Sequence, residues 1–434
     1  MDKRFFPAIE RENPGVIRSF QEKKLRETMA YVAAHSPFYK EYFIKNGIQA
    51  AKIRTLDDLC LIPPVSKDDI QQHNDAFYCV EKDSITDYVT TSGTLGEPVT
   101  FPMTENDLQR LAYNEAISFY CADGRPGDVY QLMTTIDRRF MAGLAYFMGV
   151  RLLGAGMVRV GGGIPELQWD SICRVNPSTI ICVPSFILKL IEYAEKRGID
   201  YRSTSVTKAV CIGEPLRQED MSYNTLAQRI LEKWDLKLYS TYASTEMASA
   251  FTECSEGNGG HHHPELIIAE FLNEEGRAVP EGEAGELVFT TLGVEGMPLI
   301  RFRSGDLCHH YAAPCACGRT TLRLGPIIAR KKHMIKFKGT TLYPTALYDI
   351  LDNIAEVLIY VVEVSTNTVG TDEILIRIAT DCADTEQLEK DLKDHFRARL
   401  RVSPGIRFES PEALSLIAFP PASRKPVKFI DHRK

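Results

Sequence analysis

Between Asp128 and Tyr242 short apolar runs alternate with helix-patterned stretches, and no other feature narrows the choice of fold as much. "STIICVP" reads as a buried strand, and "VTKAVCIG" and "LKLYSTYA" as two more. "SFILKLIEYAEKRG" reads as a helix closed by Gly198. This order argues for parallel βαβ units, an α/β architecture.

The texture then changes twice. "GELVFTTL" and "PLIRFRSGDL" read as β structure joined by Gly-rich turns. Beyond Arg330, "VLIYVVEV" and "EILIRIAT" are strand-like runs flanking the turn-rich "STNTVGTD". A helix follows, with Leu388, Leu392, Phe396 and Leu400 along one face and Asp384 as its cap. A chain of 434 residues exceeds one compact core. The expected division is therefore a large α/β domain over 1–330, with βαβ-type sheets and a β-rich part, and a small α+β domain over 331–434. Upstream, Leu25, Met29 and Val32 keep helical spacing until Pro37, and Ser66 with Asp69 marks a second helix start.

A formal net charge of −7 speaks against nucleic acid as the main partner. No apolar run nears the ~20 residues that span a bilayer, and "MDKRFFPAIERENPG" lacks a signal peptide's apolar core. A cytoplasmic protein without membrane partners is expected. Its 11 cysteines then read as reduced thiols or metal ligands. Most of them (Cys60, Cys79, Cys121, Cys173, Cys182, Cys211, Cys382) are expected to serve packing alone.

"VTTSGTLGEPVTF" sets Thr90, Thr91, Ser92 and Thr94 around Gly93 and Gly96. Hydroxyls and free N–H groups on a tightly curled backbone suit an anion, most often phosphate. Glu97 and Pro98 follow Gly96, so this is not the G-x-x-x-x-G-K-[ST] loop. Four more stretches come in order: "YSTYASTEM", "RFRSGDL", "ARKKHMIKFKGTTLYP" and "ASRKPVKFIDHR".

Together these five resemble the adenylate-forming superfamily of acyl-CoA synthetases, peptide-synthetase adenylation domains and luciferases. The nearest resemblance is to the phenylacetate–CoA ligase family, through "LRETM…SPFY", "LDDL…P…SKDDI" and "GELVFTTL…MPLIRFRSGDL…CACGR". The resemblance implies an AMP-forming ligase with ATP, Mg²⁺ and coenzyme A. A carboxylic acid, phenylacetate or a related aryl acid, would become an acyl-adenylate and then a thioester. By resemblance Ser92, Gly93, Thr94 and Gly96 hold the β- and γ-phosphates, and Gly213, Glu214 and Pro215 edge the adenine. Tyr242 and Thr245 precede Glu246, the Mg²⁺ ligand, with Thr245 and Glu246 among the catalytic residues; Asp306, in a Gly turn, accepts the ribose hydroxyls. Arg330 opens the border motif, Lys332 is the hinge and Gly339 lines the coenzyme A channel. Lys425 is the catalytic lysine, bridging carboxylate and α-phosphate, with Lys428 close by. Glu97 stands where the family usually has Lys, Ala329 and Arg424 where it usually has Gly.

Cys315 and Cys317 with upstream Cys254 and His261 suggest a closed, structural zinc site, and the same C-x₆-H and C-x-C elements occur in that family. His262 and His263 are alternative ligands, and Cys308, His309 and His310 crowd the region. Two rival readings stay open: transfer to a carrier-protein thiol or an amine, and a non-catalytic nucleotide-binding relative. A homodimer is the one assembly considered.

Overall fold

A computed structural model describes residues 4–91, 98–337, 340–367, 372–420 and 426–433, with backbone only for Lys332 and Thr341. Two compact units make up the chain: Met1–Ser304 with Cys308–Pro326, and Gly305–Leu307 with Ile327–Lys434.

The strands Gly156–Arg159, Val129–Leu132, Thr179–Cys182, Lys208–Ile212 and Lys237–Ser244 lie side by side, all parallel. All four residues of Thr179–Cys182 are buried, as its unbroken apolar run requires. The helix Pro184–Arg197 crosses over from it and ends at Gly198, whose φ of +68° suits a residue without Cβ. Trp169 and Trp234 stack with ring centroids 5.6 Å apart in the core beneath this helix, against Ile187, Leu190 and Ile191. From Lys237–Ser244 the sheet continues antiparallel through Ser249–Glu253, Gly260–His261 and Arg323–Arg330, and then takes in Phe302–Tyr311, Gly285–Thr291 and Ile267–Leu272, giving eleven strands among the described residues. At Gly260 a Cβ would lie 2.6 Å from the carbonyl oxygen of Phe251, so only glycine admits this pairing.

Local signals hold in detail. Ser66 and Asp69 form a reciprocal capping box on Lys67–His73. Pro37 ends one helical pattern by opening the next, Pro37–Lys45, capped by Ser36.

In the second unit four strands run in the order Gly405–Glu409, Asp372–Ala379, Ile359–Thr366, Phe429–Asp431. The helix Thr385–Leu400 buries Leu388, Leu392 and Phe396, and Asp384 Oδ1 accepts from Gln387 N at 3.0 Å. The outer strands and the helices Pro344–Leu351 and Pro411–Ala418 are eight residues or shorter, too brief to show a period in sequence. No helix among the described residues is long and apolar enough to cross a membrane.

Phe396 is fully buried, whereas Leu416 is 71% exposed. Phe396→Ala should cost about 3–5 kcal/mol of stability, and Leu416→Ala less than about 0.5 kcal/mol, in urea unfolding of the full chain.

Candidate nucleotide site and metal cluster

Parallel strands carry their carboxyl ends to one edge of a sheet, the edge where open α/β sheets bind ligands. Here that edge gathers the starts of three connections: Val183–Ser185 after Cys182, Gly213 after Ile212, and Thr245 after Ser244. Gly213 takes φ +77° to leave its strand. Glu214 then turns back: Ser185 N and Oγ donate to its two carboxylate oxygens at 2.9 and 3.0 Å. The Pro215 carbonyl accepts from Asn224 Nδ2 at 2.8 Å. Ser185 thus takes up the Glu214 carboxylate.

On the neighbouring strand Tyr242 pairs with Phe251, their rings 6.3 Å apart. The turn 245–248 leaves it, stapled by Met247 N donating to Ser244 Oγ at 3.2 Å, and Ala248 takes φ +46°. Thr245 and Glu246 are half-buried at the head of this turn. Lys67, first residue of the capped helix, brings Nζ to 3.9 Å from Glu246 Oε1. The stretch "SKDDI" served in sequence as a helix start and a family marker, and neither reading singled out Lys67. The signal was a lysine fixed one residue after a cap, but its partner lies 179 positions further on, beyond the reach of spacing arguments.

Ser92, Gly93, Thr94, Gly96 and Glu97 lie outside the described residues, as do Gly339, Arg424 and Lys425. The flanks of the first stretch pair as a hairpin, Asp87–Thr90 against Thr100–Met103, and Thr91 N donates to the Val99 carbonyl at 3.0 Å. Beside this hairpin a cavity of about 400 Å³ is lined by Val89, Leu108, Ile136, Phe140 and Leu144, with Asp87, Asp137 and Arg139 as charged groups. Five of its lining residues, Ile136, Asp137, Arg139, Phe140 and Leu144, follow the strand Val129–Leu132. Arg138 and Arg139 both hold φ near +60° (59° and 56°), an uncommon backbone state for arginine.

In the second unit, buried Asp306 sits within the strand Phe302–Tyr311 rather than in the Gly turn expected for it; the strand runs on through Gly305 at φ +75°. Arg330 Nε meets Asp306 Oδ1 at 2.9 Å. Lys332 falls in the one-turn helix Lys331–His333. Lys428 is committed locally: its ammonium donates to Tyr360 OH at 2.9 Å and lies 3.5 Å from Asp352 Oδ1, and Tyr360 OH donates to Asp352 at 2.8 Å.

The sulfur and imidazole ligand atoms of Cys254, His261, Cys315 and Cys317 all lie within 4.8 Å of one another. Cys254 Sγ and Cys315 Sγ are 3.7 Å apart, and Cys317 Sγ is 3.4 Å from His261 Nε2. Zn–S bonds of about 2.3 Å in a tetrahedron place sulfurs about 3.8 Å apart, so the quartet fits zinc. The Cys254 thiol's hydrogen bond, with His261 beside it, draws the Cys317 thiol far below the ordinary range; the same bond pushes Cys254 up. Burial lowers His261, keeping it a neutral imidazole.

The alternatives are engaged elsewhere. His262 Nε2 is 2.6 Å from the Ile267 carbonyl and its ring stacks on Phe251. His310 stacks on Phe271, and Cys308 Sγ approaches the Gly285 carbonyl. His263 Nδ1 lies 2.5 Å from Glu10 Oε1, while Arg319 Nε donates to Glu10 Oε2 at 2.7 Å and Arg319 Nη1 reaches Cys317 Sγ at 3.7 Å. Against burial, which pushes it up, His263 and Arg319 hold the Glu10 carboxyl below its usual range. Cys121 packs among the quartet's sulfurs but donates to the Thr252 carbonyl at 3.4 Å. Cys60 and Cys173 are exposed, contrary to the packing role expected of them.

A family model described as AMP-binding enzyme matches residues 23–295. The phenylacetate–coenzyme A ligase of Thermus thermophilus is 33% identical over 347 residues, 79% of this chain and 76% of that protein. The phenylacetate–coenzyme A ligase of Escherichia coli is 28% identical over 350 residues, 78% of this chain and 77% of that protein. Among solved structures, 2-hydroxyisobutyryl-CoA ligase in the postadenylation state with 2-HIB-AMP matches with TM-score 0.85, covering 99% of this chain and 93% of that one at 23% identity. The structural likeness fixes the fold, and the sequence relationship across most of both lengths fixes the lineage: the chain belongs to the phenylacetate–coenzyme A ligase family of AMP-binding, adenylate-forming enzymes.

Proposed function

We propose that the protein is an AMP-forming acid–CoA ligase whose acid is phenylacetate or a related aryl acid. Family membership carries this reading, and the expected site residues at the carboxyl edge of the parallel strands support it. In the first half-reaction a carboxylate oxygen attacks the α-phosphorus of ATP, the bond to the bridging oxygen breaks, and pyrophosphate leaves. In the second, the CoA sulfur attacks the acyl carbon and AMP leaves, its oxygen being a far better leaving group than oxide. Both are displacements in which positioning and charge neutralisation dominate.

In this reading the segment 213–215 edges the adenine and Asp306 takes the ribose hydroxyls. Ser92, Gly93, Thr94 and Gly96 take the phosphates, and Glu246 with Thr245 lies where charge gathers. Glu246 offers the hard oxygen that Mg²⁺ prefers. Lys67 gives that neighbourhood a cation, which matters because Glu97 stands in the phosphate loop where the family usually has lysine. An apolar wall of Ile136, Phe140, Leu144 and Leu108 suits an aryl or alkyl acid. Purified protein given phenylacetate, Mg-ATP and CoA should release AMP and pyrophosphate and form phenylacetyl-CoA. ADP and phosphate from an active preparation would refute the reaction class, and AMP release only with a carrier protein would reassign the acceptor.

Lys425 is proposed to bridge carboxylate and α-phosphate, and Lys428 to anchor the strand that follows, since Tyr360 and Asp352 already hold its ammonium. Lys425→Ala should slow pyrophosphate release about 10²–10³-fold while sparing thioester formation from pre-made acyl-adenylate. Lys428→Ala should change either half less than about tenfold. The reverse ranking in a pyrophosphate-release assay would exchange the roles.

Cys254, His261, Cys315 and Cys317 are proposed to hold one zinc as a staple, since four protein ligands leave no position for water or substrate. Elemental analysis after dialysis should find about one zinc per chain, and Cys317→Ser should lose it and lower Tm by about 5 °C or more. Metal-free protein that melts at the wild-type temperature would count against the staple.

A further inference from the structure

Arg217 links the loop that carries two of the four proposed metal ligands, Cys254 and His261, to the stretch that follows 213–215, the segment expected to edge the adenine. Its Nε donates to Glu253 Oε1 at 2.6 Å, and Glu253 is the residue immediately before Cys254. Its Nη1 donates to the Met221 carbonyl at 2.9 Å, and its guanidinium lies 4.4 Å over the Tyr223 ring. The second Glu253 oxygen accepts from Ser240 N at 3.2 Å, on the strand that leads to Tyr242 and Glu246. On its outer side Arg217 rests on Gly257, within the metal loop: a Cβ there would stand 2.2 Å from Arg217 Nη2.

Both members of the pair are buried, with side chains only 10% and 4% exposed. A buried pair adds little net stability over an apolar substitute, but losing one partner strands the other's charge. What the pair does supply is geometry. A planar guanidinium fixed on three sides sets the start of the loop 217–223 against the metal loop, and the loop's other end is closed by Asn224 N donating to the Leu216 carbonyl at 2.9 Å. Glu214 is fixed independently by Ser185, so the segment 213–217 is held at both ends.

We propose that Arg217 is a positioning residue that couples the metal loop to the adenine side of the nucleotide site. The proposal rests on the assignment of 213–215 to adenine made above. Arg217 does not touch the reacting atoms; it holds the backbone that reads the base. Disturbing the metal loop at Gly257 therefore acts on base selection through Arg217.

The test compares ATP with ITP, which differs only at the base edge, in the full CoA-ligase reaction of the zinc-loaded protein. Arg217→Met should raise the KM for ATP about tenfold and bring the ATP-over-ITP preference to within about threefold of unity, leaving the KM for CoA and for the acid within about twofold. Gly257→Ala should move both quantities in the same direction, and Arg217→Lys should recover part of the preference. If Arg217→Met does not fold, Gly257→Ala decides alone. A wild-type KM for ATP and preference in Gly257→Ala, or an equal loss toward ATP, CoA and acid, overturns the coupling. Wild-type protein with no preference for ATP over ITP removes the adenine assignment, and the proposal with it, before any variant is made.

Discussion

The parallel pairing of Lys208–Ile212 with Lys237–Ser244 is the constraint on which the candidate site depends. Parallel neighbours must return the chain through a crossover, so each strand hands its carboxyl-end residue to the same edge. Gly213 and Thr245 are 32 positions apart in sequence, yet they leave the sheet on adjacent strands. Had the two strands been antiparallel, the expected adenine segment and Glu246 would sit at opposite ends of the sheet. The antiparallel turn to Ser249–Glu253 then carries the chain away from this edge toward Cys254.

A second centre of organisation is electrostatic. Glu10, with no exposed surface, accepts from Arg319 and meets His263, tying a short N-terminal helical turn to two segments more than 250 positions away. Arg319 also reaches Cys317, so the same guanidinium that neutralises Glu10 stands beside a thiol drawn below its ordinary range by the Cys254 hydrogen bond and His261. Two histidines of the run 261–263 are thereby sorted: the network claims His263 and leaves His261 to the sulfurs. A triple histidine in sequence cannot reveal which imidazole joins the three thiols, because that choice is made by partners distant along the chain.

The same distinction separates what the sequence makes legible from what it does not. Signals that act within one turn or one strand survive folding unchanged: the Ser66–Asp69 box, the Gly198 stop, the Asp384 cap, the buried run at Thr179–Cys182. The ordered motifs and the Cys–His spacing are equally local in their writing, and they pointed to the family. Arg217, Glu10 and Arg319 carry no local signature, and Lys67 has only its place after a cap. Each is an unremarkable charged residue until the fold supplies its partner. Glu214 shows the converse: the motif named it as nucleotide-binding, and the fold draws its carboxylate to Ser185. Asp306, expected in a turn, lies in a strand because a glycine at positive φ interrupted the pattern without ending the pairing.

Within the second unit, the segment that follows Arg330 shows how a short span is delimited. Arg330 pairs with buried Asp306 on one side of it. On the other, Arg433 donates to the Met334 carbonyl at 2.7 Å while its guanidinium grips Asp431 at 2.8 and 2.7 Å and Asp372 at 2.9 Å. Asp372 in turn accepts from Lys336 N at 2.7 Å, so the backbone is held again two residues on. Between these anchors lies one turn of 3₁₀ helix, Lys331–His333. A backbone that pivots needs few residues free to change φ and ψ and firm attachments at both ends, otherwise the change spreads and is lost. Lys332, expected at the hinge, lies inside that single turn, and the anchors around it are written in ion pairs that join residues 306, 330, 372, 431 and 433 rather than in the motif around the lysine itself.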